Sequence, residues 1–157
     1  MTTVPSSPPI YRDVVICTTS LPAAKRKVLK ATVEAFGAQM SKSFTNSTTH
    51  VVCDLQHGLA RRTIKYLQGI LAGKWIVSFQ WIEASQKAGY WVEEGPYEVA
   101  GDVNRRDGPA RGRERAKQHS PPLFHGWSFM FHGDISLPSP SWDDFQTLLT
   151  QGISLLM

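Results

Sequence analysis

Thr19 and Ser20 stand where an apolar run, Val14-Val15-Ile16-Cys17, gives way to Leu21-Pro22 and a helical pattern. A strand that ends in hydroxyl residues at the start of a helix offers an anion a side-chain donor together with backbone N–H groups that the first helical turn leaves unpaired. Farther along, Arg62 and Lys65 are three residues apart within residues 60–71, where Ala60, Ile64, Leu67 and Leu71 recur at helical spacing. On one helix such a pair would be neighbours, a like-charge contact costing roughly 0.2–0.5 kcal/mol unless an anion joins the two. Charge-assisted donors of this kind are what a dianionic phosphate requires. The plain alternative is that Lys65 only solubilises an exposed helical face.

A second cationic feature is local. The segment NRRDGPARGRERAKQ, residues 104–118, sets Arg105, Arg106, Arg111, Arg113, Arg115 and Lys117 against Asp107 and Glu114, an excess equal to the net charge of +4 carried by all 157 residues. Without apolar periodicity, and with Gly108, Pro109 and Gly112 inside it, the segment reads as a basic linker. Its cations could also attract DNA, RNA or poly-ADP-ribose, although no aromatic residue is interleaved for base stacking.

Other chemistries lack support. Cys17 and Cys53 lie in β-branched runs with no second Cys or His at ligand spacing, so neither a disulfide framework nor a metal site is expected, and a reducing compartment is the default. His125 and His132 have no carboxylate or thiol at useful spacing, and His50 reads as a core or strand-end histidine. The sequence contains no GxSxG, no catalytic triad and no P-loop, so no enzyme activity and no cofactor are expected. No apolar run approaches the ~20 residues of a membrane span, and residues 1–9 do not resemble a secretion signal.

The elements that must position these residues follow from pattern. With 41% hydrophobic residues the chain can bury a core. Residues 14–17, 48–53 and 75–77 are short buried strands, with a further short piece at 39–42. Helices are expected after Pro22, where Val28, Leu29, Thr32, Val33 and Phe36 share a face, over 60–71 and over 79–88. Trp75 and Trp81 read as core residues. Alternation of strands and helices indicates a small α/β domain with a parallel sheet. After the basic segment, residues 127–131 are strand-like, 142–149 helix-like and 153–157 strand-like, which repeats the opening order.

TTHVV at 48–52 and RRTIKYLQGILAGKWIVSFQWIEAS at 61–85, with YEVAGDV and GPARGRERA before LFHGWSF, resemble the BRCT (breast-cancer C-terminal) domain family, and the run 62–81 is specific. The resemblance implies a three-layer α/β fold, a four-stranded parallel sheet flanked by helices, followed by an incomplete second repeat. Its expected divisions are a disordered lead-in at 1–9, a first domain at 10–100, a linker at 101–121 and a partial second domain at 122–157. It also implies a nuclear phosphoserine-peptide adaptor in DNA-damage signalling, DNA repair and homologous recombination; ubiquitin-ligase activity of full-length relatives belongs to a RING domain not found in these residues.

By the same resemblance Thr19, Ser20 and Lys65 hold phosphate, Arg62 engages the peptide main chain near position +3, and Leu67 lines one side of a pocket for the +3 aromatic residue of a pSer-x-x-Phe ligand. The family's Ser-Gly is Thr-Ser here at 19 and 20, which keeps the hydroxyl and loses glycine's freedom. Two other readings stay open: nucleic-acid or poly-ADP-ribose binding through the same pocket and the basic segment, and a structural interaction module with a vestigial pocket. With only about 36 residues in the second repeat, weak discrimination at +3 and a poorly packed segment after Pro122 are expected.

Overall fold

The computed structural model describes residues 13–133 and 140–153. β1 (Val15–Thr19), β2 (Gln39–Ser41), β3 (His50–Cys53) and β6 (Trp75–Ser78) form one parallel sheet in the order β2-β1-β3-β6. Registry places Ile16 beside His50, and His50 beside Trp75. All four residues of β3 are buried, as its β-branched, uninterrupted apolar run requires of a strand covered on both faces. A small hairpin, β4 (Leu55–Gln56) with β5 (Leu59–Ala60), turns at His57-Gly58, both at positive φ; the sequence reading did not foresee it.

Two apolar layers sandwich the sheet. On one face α1 (Ala23–Ala35) and α3 (Gln80–Ala88) bring Leu29, Val33, Trp81 and Ile82 against Ile16, Val52 and Val77. On the other, α2 (Ile64–Leu71) sets Tyr66 against Val51, Cys53 and Ile76, with Leu67 and Ile70 packed alongside. Period-two alternation along each strand divides its side chains between these layers. His50 is a core residue: its Nδ1 lies 2.7 Å from Thr49 Oγ1, its Nε2 3.1 Å from Glu94 Oε1, and its ring stacks on Trp81 at 4.6 Å.

Beyond α3 the chain returns to the sheet. Val99 N–H donates to Ile76 O at 2.9 Å, and Val77 and Glu98 form an antiparallel bridge, so residues 98–99 run along the outer side of β6. Ala60 N–H then donates to Gly101 O at 2.9 Å. Gly101, at φ 149°, allows the tight return to Arg106, since a Cβ there would lie 2.5 Å from the Arg105 carbonyl oxygen.

The basic segment departs from its linker reading. Helix α4 (Gly108–Lys117) lies within it and packs on α2. Its buried positions are Pro109 and Gly112, so it docks by backbone approach and shows no apolar stripe in the sequence. A Cβ on Gly112 would sit 2.3 Å from Ile70 O.

Residues 127–131 also differ from expectation: no strand forms there among the described residues. Phe124, Trp127 and Phe129 instead pack on one another, with centroids 5.3 to 6.5 Å apart, and among the described residues no neighbouring strand supplies backbone partners. Trp127 and Met130 stay 65% and 94% exposed. The expected helix is present as α5 (Trp142–Ile153), which docks on α2 through Gln151 Nε2 to Gln68 O at 2.8 Å and meets Phe124 through Gly152. The lead-in expected at 1–9 lies outside the described residues, as do residues 154–157 of the expected last strand.

Candidate functional site

The end of β1, the turn into α1 and the start of α2 enclose a cleft of about 400 Å³ lined by Thr18, Thr19, Ser20, Arg26, Thr63 and Lys65, among others. Parallel pairing explains the meeting: β1 and β3 are neighbours, and the crossover from β3 through the hairpin brings α2 back with its N-terminus beside the C-terminal end of β1. Ligand sites of open α/β sheets fall at this end of the strands.

Thr19 is buried and its Oγ1 lies 2.6 Å from Thr63 Oγ1. Thr63 is the N-cap of α2, with extended backbone and its hydroxyl accepting from Tyr66 N–H at 3.3 Å. Two hydroxyls in contact share one proton along their axis and leave the other free to point into the cleft. Ser20, the following residue, is exposed with φ 53°, the left-handed region in which glycine meets no Cβ penalty. The Thr-Ser pair therefore keeps the backbone bend that glycine suits.

Lys65 Nζ donates to Thr18 O at 3.1 Å and Lys42 O at 2.6 Å, which fixes the ammonium at the cleft wall with no acidic partner among the described residues. Burial raises the pKa of the underlying Cys17 thiol, against the opposing pull of the Lys65 charge. Arg26, on the first turns of α1, lines the same cleft and has no ion pair among the described residues, whereas adjacent Lys25 is held by Asp54 at 2.6 Å. Helix α1 follows its N-cap Pro22 with no side-chain cap and no acidic residue in its first turn, so the positive end of its dipole lies beside the cleft.

Arg62 is placed differently from the sequence reading. Helix α2 starts at Ile64, so Arg62 precedes the cap and is not a helical neighbour of Lys65. Its guanidinium grips the buried Asp102, Nε to Oδ2 at 3.2 Å and a terminal nitrogen to Oδ1 at 3.0 Å. Burial acts to raise the pKa of Asp102, but the Asn104 amide, the Arg62 guanidinium and the Arg105 amide outweigh it and hold the carboxyl below its ordinary range. The Tyr66 hydroxyl, buried near Asp102, makes no well-formed hydrogen bond; burial and then the Asp102 charge push its pKa up. Leu67 packs against the α2-side core.

The six basic residues of the 104–118 segment divide. Arg113 is bidentate to Glu98 at 2.6 and 2.8 Å and lies 3.7 Å over the Trp75 ring. Arg115 reaches the Ile70 and Leu71 carbonyls that end α2, both at 3.4 Å. Arg105, Arg106, Arg111 and Lys117 are exposed. Among the described residues no cluster of His, Cys, Asp and Glu has the makings of a metal site.

Sequence reasoning missed Thr63 and Arg26. Each carried a readable signal: a threonine immediately before the apolar-periodic Ile64, and an arginine four residues after Pro22.

The BRCA1 C Terminus (BRCT) domain profile matches residues 6–86. BRCA1-associated RING domain protein 1 of Arabidopsis thaliana is 37% identical over 131 residues, covering 82% of this chain and 18% of the relative. The Protein BREAST CANCER SUSCEPTIBILITY 1 homolog of the same organism is 36% identical over 128 residues, covering 80% and 14%. This chain thus spans less than a fifth of the length of either. Among solved structures, S. pombe Brc1 BRCT5-BRCT6 superposes with a TM-score of 0.61 at 17% identity, covering 90% of this chain and 64% of that one.

Proposed function

Because the chain belongs to the BRCT domain family, we propose that it is a phosphoserine-peptide-binding adaptor module of a nuclear DNA-damage response and repair protein, with no catalytic step of its own. The observation that carries this reading is the convergence of the Thr19–Thr63 hydroxyl pair, the Lys65 ammonium and the Arg26 guanidinium on one cleft at the positive end of α1.

A phosphate entering the cleft exchanges water for donors that are already oriented. Thr19 and Ser20 supply hydroxyl and backbone N–H, and Lys65, held by two carbonyls, supplies a positive charge whose position costs little further ordering. Arg26 closes the exposed side. The peptide runs from the cleft past Arg62, whose guanidinium is kept in place by Asp102 and so presents its remaining N–H groups to main-chain carbonyls. Leu67, half-buried against the core, keeps part of its side chain open to contact the residue at +3.

The test is a titration of the chain with a pSer-x-x-Phe peptide beside its unphosphorylated twin. Preference for the phosphopeptide, lost in Lys65→Ala and weakened in Arg26→Ala, is the expected result; equal affinity for the twins refutes the reading.

A further inference from the structure

At the opposite end of α2 from the cleft, the turn into β6 meets the last turn of α4 and one side of α5 around a cavity of about 90 Å³. Gly73 lies so near α4 that a Cβ on it would clash with Ala116 Cβ. The next residue, Lys74, therefore emerges beside the end of α4, and it lines the cavity with Arg115, Ser120, Asn46 and Gln151. No Asp or Glu is among the lining residues, and Lys74 has no ion pair among the described residues. Arg115 Nη2 reaches the Ile70 and Leu71 carbonyls only at 3.4 Å, and burial first, then the Arg111 charge, pulls its pKa down. Two cations on one polar cavity with no acid to neutralise them gain when an anion is supplied. The carbonyl ends of α2 and α4 oppose an anion there with roughly half an elementary charge each, less than the two full charges that favour it.

The chain carries an acceptor for such an anion itself. Ser120 follows the end of α4, half-buried at this cavity, with its N–H donating to Arg115 O at 3.0 Å and its hydroxyl in no hydrogen bond among the described residues. Pro121 and Pro122 come next, in a stretch outside any helix or strand where His119 and Pro121 are exposed. Proline at the following position biases a serine toward extended backbone, the form in which a kinase groove takes its substrate. We propose that Ser120 is a phosphorylation site of the serine-proline type, and that its phosphate is held by Lys74 and Arg115 of the same chain, fastening the turn after α4 to the end of α2. In the transfer, Ser120 Oγ bonds to the γ-phosphorus of a nucleoside triphosphate brought by a proline-directed protein kinase. The bond from that phosphorus to the bridging oxygen breaks, the nucleoside diphosphate leaves with its electron pair, and the hydroxyl proton passes to the kinase's base. The serine gains nearly two negative charges and three acceptor oxygens, which match the unspent donors of Lys74 and Arg115. This site is separate from the phosphopeptide cleft and does not rest on that reading.

The experiment incubates the full chain, parent and Ser120→Ala, with ATP and a proline-directed kinase, locates phosphate by mass spectrometry, and uses a peptide of residues 114–125 as the unfolded control. Phosphate at Ser120 of the folded parent is the expected result. Phosphorus NMR, with the signal assigned by its loss in Ser120→Ala, then follows the second ionisation of that phosphate. It should lie about one unit below the ionisation of the phosphorylated peptide, and the modified chain should melt about 2–4 °C above the unmodified one. Lys74→Gln removes a cation that has no other partner, so it should bring the ionisation about halfway back to the peptide's and reduce the gain in melting temperature, each measured against the same variant unmodified. A folded chain that takes no phosphate at Ser120, whatever the peptide does, overturns the modification site. An ionisation equal to the peptide's, or one that Lys74→Gln leaves unmoved, overturns the contact with the cavity cations. A melting temperature lowered by phosphorylation overturns the fastening, because the phosphate then displaces the turn.

Discussion

Replacing Gly112 by alanine separates a docked α4 from a solvated tether, because the two predict opposite signs. In a solvated helix the change gains about 0.8–1.0 kcal/mol of intrinsic propensity. In the docked helix the new Cβ falls 2.3 Å from Ile70 O, about 1 Å inside the ~3.3 Å at which carbon and carbonyl oxygen ordinarily meet. The obstacle is backbone, held in α2, and no rotamer relieves it. Overpacking costs about 1–3 kcal/mol, and an immovable partner places this site near the top of that range. Subtracting the propensity gain leaves a net loss of about 2 kcal/mol, or roughly 4–8 °C in melting temperature for a chain of this size. Urea titration and thermal melting of the parent, Gly112→Ala and the exposed control Ala110→Gly would measure it. Ala110→Gly should lose about 1 kcal/mol through propensity alone. A Gly112→Ala variant as stable as the parent, or more stable, refutes the docking of α4 on α2.

Three further outcomes follow from the geometry. Lys65→Ala should weaken phosphopeptide binding by about 1.5–3 kcal/mol, roughly ten- to a hundred-fold, in the titration described above, and should lower the melting temperature slightly because Thr18 O and Lys42 O lose their donor. Cys53 is buried at 0% exposure and its thiol is pushed up to about 12, by burial first and by the Asp54 charge second, so a thiol reagent at pH 8 should modify it only at the rate of unfolding; rapid labelling of Cys53 in the native protein, located by mass spectrometry, would contradict its burial. Asp102 titrates lower in the folded chain than in the unfolded one, so the stability it contributes is complete above the unfolded pKa near 3.9 and is lost as pH falls through the lower folded value. Asp102→Asn should therefore cost about 1.5–3 kcal/mol at pH 7 and flatten the acid limb of the stability profile below about pH 4, and an unchanged limb would remove Arg62–Asp102 from the linkage.

The sheet was legible in the sequence because its strands are buried on both faces: VICTT, HVVC and WIVS are continuous β-branched or apolar runs that no other element explains. Thr19, Ser20 and Lys65 were legible as residues but not as a cleft, since their meeting depends on the β1–β3 pairing. Arg62 was misplaced because the apolar spacing from Ala60 to Leu71 continues across Thr63, although Ala60 belongs to a hairpin and only the threonine marks the helix start. Helix α4 was hidden for a different reason. Its contact face is made of Pro109 and Gly112, residues that read as breakers, and Arg113 and Arg115 are held by an acid and a ring and by two carbonyls that pattern alone does not connect to them. The aromatic run at 127–131 shows the converse limit: its composition is strand-like, yet among the described residues no adjacent strand offers it hydrogen bonds and no strand forms.

The chain segment laid along β6 fixes where this sheet can grow. An open edge presents a row of unpaired donors and acceptors to any extended chain, and proteins either cover such rows or keep them short. Here Val99 and Glu98 occupy the β6 side, and the Glu98 carboxylate is clamped by Arg113, so a strand from another molecule finds that berth already taken by the chain's own return. The opposite edge is β2, three residues long, with Gln39 and Met40 facing solvent. Lateral assembly of this domain by strand addition is therefore one-sided at most and limited to a stretch too short to propagate.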